Sequence, residues 1–207
     1  MLTFKEHEEF IAKILPKIPL GAKGLRQSHS RDRRYTEAKC WTIAVKDAFH
    51  AVKRKPVYGT IGAKTIDYYA TRAGNGKEKR GREWLLDVVL YVEDKGALVA
   101  VESEWGSSVD GIKFDFMRLL SFKAPLKILI IDTGRRGIDA VKNRIEGYAR
   151  GFEQHQPGEV YYLIDYHEGR DKGQHDVYRY ETGRACASGR AAKFTFKKIP
   201  GLCGDDA

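Results

Sequence analysis

Apolar positions recur along this chain with two periods, and the switch from one to the other marks out its elements. Phe4, Phe10, Ile11, Ile14 and Leu15 share a helical face, and Thr3 with Glu6 has the spacing of a capping box. A helix is therefore expected over residues 3–15, stopped by Pro16 and Pro19. Trp41, Ala44, Val45, Ala48, Phe49 and Val52 repeat the helical spacing and predict a second helix over Tyr35–Val52, ended by Pro56. Residues 57–83, rich in Gly, Tyr and Lys, keep no period. Beyond them, Trp84–Val92 (WLLDVVLYV) and Ala97–Glu104 (ALVAVESE) are apolar runs rich in β-branched residues. The short polar turn between them ends in Gly96, which predicts an antiparallel hairpin.

The helical period returns at Val109–Phe122, where Ile112, Phe116, Leu119 and Leu120 line one face. Leu126–Asp132 (LKILIID) reads as a third, buried strand. Ile138, Val141, Ile145, Tyr148 and Phe152 then define an amphipathic helix, and Glu159–Asp165 (EVYYLID) a fourth strand. The alternating runs Asp176–Tyr180 and Lys193–Lys197 are expected to add edge strands. A helix between the second and third strands requires a crossover and parallel pairing. The expected fold is α/β: a central mixed β-sheet flanked by helices in a single domain, its core over residues 35–165, with an N-terminal helix and a C-terminal β extension.

With 207 residues, 42% hydrophobic and 31% charged, the composition is that of a folded domain. No segment approaches the roughly 20 apolar residues of a membrane span. Glu6, Glu8 and Glu9 stand where a signal peptide needs basic and then apolar residues, so a cytoplasmic protein with no membrane partner is expected. Cys40, Cys186 and Cys203 show neither CxxC nor Cys/His spacing, which argues against a disulfide framework or a zinc site, and Cys40 is expected to be a buried thiol. The six histidines show no ligand spacing and read as surface or satisfied core residues.

Charge is more informative. The net +9 is concentrated in residues 21–34, 72–82 and 182–198, each with five basic residues against one, one and no acidic ones, so the rest of the chain is net acidic. Basic, Gly-containing stretches on a mildly acidic body are the footprint of a protein that meets polyphosphate. Arg26, Arg31, Arg33 and Arg34 in the first stretch, and Lys77, Lys79, Arg80 and Arg82 in the second, are the candidate phosphate contacts, with DNA the expected partner and RNA the alternative.

Asp87 interrupts an apolar run, where an uncompensated carboxylate is costly. Glu102 and Glu104 share a face at the end of the following strand, and the hairpin brings that end to Asp87. Three converging carboxylates repel unless a proton or cation joins them, and a divalent cation such as Mg²⁺ suits the set. Removal of Asp87 or Glu102 is therefore expected to leave the fold intact, with stability unchanged or slightly higher.

A hairpin with an acid on its first strand and acid-x-acid on its second, followed by a helix and a parallel strand, resembles the PD-(D/E)xK nuclease superfamily, the fold of restriction endonucleases. In that pattern Asp87 takes the place of the first aspartate, Glu102 of the second acid and Glu104 of the lysine. Leu86 replaces the usual proline, and the acid-x-acid variant occurs in some restriction enzymes of the superfamily. The resemblance covers roughly residues 35–132. It implies a Mg²⁺-dependent DNA endonuclease, with Mn²⁺ as a substitute and a homodimer as the working unit by analogy. Asp87, Glu102 and the Ser103 carbonyl would bind the metal, and Glu104 would orient or deprotonate the attacking water. The superfamily often places a further acid on the helix before the hairpin, which points to Glu37. Lys113 and Lys123 are candidates for a lysine displaced onto the following helix. The rivals are a non-catalytic nucleic-acid-binding protein of the same fold and a basic chain that docks an acidic protein.

Overall fold

The computed structural model describes residues 4–18, 41–42, 44–46, 48–49, 66–69, 86–92, 96–104, 109–133, 137–166, 175–182 and 194–202. Helix α1 (Phe4–Ile14) runs into a 3-10 turn, Leu15–Lys17, that contains Pro16. The described positions 41, 42, 44–46, 48 and 49 are helical and form α2. Then follow β1 (Ile66–Tyr69), β2 (Val88–Val92), β3 (Gly96–Glu104), α3 (Val109–Ser121), β4 (Leu126–Ile131), α4 (Ile138–Gly151), β5 (Val160–Tyr166), β6 (His175–Glu181) and β7 (Lys197–Lys198). Gly96 enters β3 at φ +80°, a left-handed conformation open to Gly at no steric cost.

The seven strands form one sheet whose spatial order is the chain order. β1, β2 and β3 pair antiparallel, β3, β4 and β5 parallel, and β5, β6 and β7 antiparallel. The sheet is mixed and the architecture α/β, as the alternating periods predict. Each face has its own core. Phe10, Ile11 and Ile14 of α1 and Trp41, Val45 and Phe49 of α2 pack on Val88, Val99, Val101, Ile128, Ile130 and Tyr162. On the other face Ile112, Phe116 and Leu119 of α3 and Val141 and Ile145 of α4 cover Ala100, Leu129, Ile131, Tyr161 and Leu163. β4 and β5 are buried along their whole length, and strands covered on both faces read as continuous apolar runs. The N-terminal helix is tied to the far end of the chain: Arg179 of β6 pairs with Glu8, and the Tyr166 hydroxyl donates to the Leu15 carbonyl at 3.4 Å.

Three expectations change. The aperiodic region contains β1, which pairs Ile66 with Val92 through Tyr69 with Val89. β2 begins at Val88, so Asp87 lies in a bend before the strand rather than within it. Of the run Lys193–Lys197, only Lys197 belongs to a strand. Phe194 and Phe196 instead plug the α3–α4 face, Phe194 stacking on Tyr180 with centroids 3.6 Å apart and the Phe196 N–H donating to Glu146 Oε1 at 2.8 Å. Among the described residues no helix is long and apolar enough to cross a membrane.

Candidate active site

The alternation of β3 decides where each acid points. Ala100 faces α3, so Glu102 and Glu104, two and four residues on, face α3 as well, while Ser103 faces the α2 side. The strand end is closed from the side by Asp87. Its Oδ2 accepts from the Ser103 N–H at 3.0 Å and from Ser103 Oγ at 2.7 Å, while its own N–H donates to Glu102 Oε2 at 3.3 Å. The bend before β2 thus replaces the next ladder bond with a carboxylate, which explains why an acid is tolerated at the border of an apolar run. Lys46 of α2 reaches Asp87 Oδ1 at 3.4 Å. Asp87 therefore spans the rim of the sheet, bonded to α2 on one side and to Glu102 on the other.

Glu102 is 2% exposed. Arg118 of α3 stands 3.3 Å from its Oε1, yet that buried oxygen makes no hydrogen bond. Burial, and then the charge of Asp87, push the Glu102 carboxyl up to about 9, with Arg118 opposing. Asp115, buried on the same helix, bonds Arg118 and shares a hydrogen bond with Glu104, which requires a proton on one of the two carboxyls. Burial and that shared bond push Asp115 up to about 7.

The expected meeting of three carboxylates at one point is therefore not what forms: Asp87 and Glu102 make one pair, Glu104 and Asp115 another. Among the described residues no three His, Cys, Asp or Glu side chains are grouped to hold a metal ion. Two carboxylates and a backbone carbonyl do share a side, however. The Ser103 N–H points toward Asp87, and in an extended strand the carbonyl of the same residue points the same way. The Glu104 carbonyl, one residue on, turns to β4 and accepts from the Asp132 N–H at 3.3 Å.

Of the supporting residues, Lys113 lies 4.6 Å from the centroid of the Tyr148 ring, on the α4 side of its helix. Lys123 precedes β4, whereas Glu104 is level with Ile131 at the other end of that strand, so at least about 17 Å of sheet separates them. Lys123 cannot supply the displaced lysine. Glu37, Cys40, Arg26, Arg31, Arg33, Arg34, Lys77, Lys79, Arg80 and Arg82 lie outside the described residues.

Lys46, Asp115 and Arg118 are members of the site that the sequence reading passes over. Asp115 carries a signal, since it falls three residues after Ile112 and beside Phe116 on the apolar stripe of α3. Lys46 and Arg118 carry none, because their partners are fixed only by tertiary packing.

The same rim bears a second carboxylate clasp. Asp165 of β5, wholly buried, accepts from the Thr133 N–H at 3.0 Å and from Thr133 Oγ1 at 2.8 Å. At the opposite end of the sheet Lys127, 1% exposed, donates to the Leu120 carbonyl, Glu159 Oε1 and the Tyr161 hydroxyl at 3.2, 2.9 and 3.0 Å. All three of its protons are used, and the set reads as a structural bolt rather than a reactive centre. His155, bonded to the Tyr161 hydroxyl and the Ala149 carbonyl, completes it as the satisfied core histidine expected. No protein-family model matches the chain, and neither does any curated protein or solved structure.

Proposed function

We propose that the chain is a metal-dependent endonuclease that hydrolyses phosphodiester bonds in DNA, on a restriction-endonuclease-like sheet. The observation that carries this reading is a shortage of positive charge at a buried acid cluster. Four carboxyl groups, Asp87, Glu102, Glu104 and Asp115, meet two cationic side chains, Lys46 and Arg118. The donor set fits Mg²⁺ or Mn²⁺, since magnesium takes one or two carboxylates and completes its shell with water and phosphate oxygens. Asp87, Glu102 and the Ser103 carbonyl would hold it. The bound ion supplies charge to the phosphoryl oxygens and lowers the pKa of the attacking water. Glu104, less enclosed than Glu102, orients that water and takes its proton, and the hydrogen bond to Asp115 fixes the Glu104 carboxylate for the purpose. Arg26, Arg31, Arg33, Arg34, Lys77, Lys79, Arg80 and Arg82 hold the DNA backbone in this reading.

The one-to-one pairs Lys46 with Asp87 and Arg118 with Glu102 favour a second reading, a non-catalytic nucleic-acid-binding protein of the same fold, because each ligand of the first reading already has a cationic partner. Plasmid nicking separates the two. The nuclease reading expects cleavage in Mg²⁺, none in EDTA, and none from Asp87→Asn or Glu102→Gln. DNA binding without metal-dependent cleavage refutes it and leaves the second reading.

A further inference from the structure

Arg118 reaches a buried acid from an open position: its side chain is 46% exposed, that of Glu102 beneath it 3%. The two ends of the guanidinium are held differently. One nitrogen is hydrogen-bonded to Asp115, a turn back on α3, while the other faces Glu102 Oε1 at 3.3 Å without a hydrogen bond to that oxygen. Arg118 is anchored at Asp115 and loosely held at Glu102.

We propose that Arg118 occupies the cation's place at Glu102 while the site is metal-free, and turns to the scissile phosphate once a divalent cation takes Glu102. This rests on the nuclease reading and adds to it a residue that touches the substrate. A divalent ion on Glu102 brings like charge to the side of the carboxylate that the guanidinium now faces, so each weakens the other's hold, and the coupling is reciprocal. The Asp115 bond survives this exchange and acts as the pivot. A phosphate brought to the same ion lies on the open side of Arg118, and the planar fork of a guanidinium matches phosphate oxygens. The site also needs such a group. Glu104, at the end of the acid pair, carries no positive charge, and Lys46 approaches Asp87 from the other face of the sheet.

The test compares Arg118→Met and Arg118→Lys with wild type in three measurements: calorimetric titration of the nucleic-acid-free protein with MnCl₂, plasmid cleavage in Mg²⁺, and DNA binding in Ca²⁺. Arg118→Met should bind Mn²⁺ about three- to tenfold tighter, since a competing ion pair is gone. Its kcat should nevertheless fall by about 10²–10³, the usual loss of one donor to the transition state, with DNA binding close to wild type. Arg118→Lys, which keeps the charge over Glu102 and loses the fork, should bind Mn²⁺ like wild type and cleave at an intermediate rate. Tighter metal binding with slower cleavage is a combination that a merely structural arginine does not produce. Unchanged or weaker Mn²⁺ binding by a folded Arg118→Met overturns the proposal, as does a wild-type kcat in either variant. Should Arg118→Met not fold, a wild-type rate in Arg118→Lys overturns it alone. A wild-type chain that neither binds Mn²⁺ nor cuts DNA refutes the nuclease reading itself, and this inference with it.

Discussion

Glu102 has an ordinary carboxyl pKa of 4.5 in the unfolded chain and one of about 9 in the fold. Between those values the native protein holds a proton that the unfolded chain has released, so stability is full below the lower value and falls as pH rises toward the upper one, by at most about 1.4 kcal/mol per pH unit. From about pH 6 to about pH 8 the cation-free protein should lose about 3 kcal/mol, or about 6–12 °C in Tm for a chain of this size. Asp115, raised from 3.8 to about 7, adds to the loss in the same direction below neutrality. Glu102→Gln removes the larger titration while keeping the shape of the side chain. It should match wild type near pH 5, exceed it near pH 8, and show a much flatter profile. Mg²⁺ favours the ionised carboxylate, so it should restore wild-type Tm at about pH 8 and do little at about pH 5. Thermal melts across this range, in EDTA and in Mg²⁺, decide the matter. A wild-type Tm that is level or rising between about pH 6 and pH 8 in EDTA, or a Glu102→Gln slope equal to wild type, refutes the reasoning.

Asp87→Ala should abolish cleavage and also destabilise the fold by about 1–3 kcal/mol in urea titrations, because it leaves the Ser103 amide and hydroxyl and the Lys46 ammonium without their acceptor. That reverses the expectation of unchanged stability made from carboxylate crowding alone. Glu104→Gln should lower the cleavage rate by about two to four orders of magnitude with DNA binding unchanged, as loss of a general base does; a normal rate in nicking assays would remove Glu104 from the mechanism. Lys127→Met should cost about 3–5 kcal/mol in the same urea titrations by leaving Glu159 buried beside Tyr161 without its cation, while kcat stays at the wild-type value.

The legible parts of the fold were those where one element's own residues settle its state. The stripe Ile138, Val141 and Ile145 needs no neighbour to read as a helix, and the apolar runs of β3, β4 and β5 need none to read as strands. β1 was hidden because four residues in a Gly- and Lys-rich region become a strand only by pairing with β2. Phe194 and Phe196 alternate as a strand does, but their backbone bonds to Glu146 instead of a sheet edge. The candidate site shows the limit of a single signal. A charged residue interrupting an apolar strand pointed to Asp87, and Lys127 in LKILII carries the same signal. One proved to border the acid cluster and the other to be a fully bonded tie inside the core, a difference that lies in their partners and not in the local sequence.

Strands that pair in the order of the chain have a consequence for synthesis on the ribosome. Each strand from β2 to β6 emerges directly after the neighbour it will join, so the sheet can extend by one addition at a time without long-range search. Helix α1 is the exception. Its apolar residues Phe10, Ile11 and Ile14 belong against strands that include β4, β5 and β6, and its ion pair joins residues 171 positions apart. The first segment made is thus among the last to be covered, and a nascent chain stalled before β5 carries a greasy helix with no surface to rest on. That interval, rather than the assembly of the sheet, is when this protein most needs a chaperone.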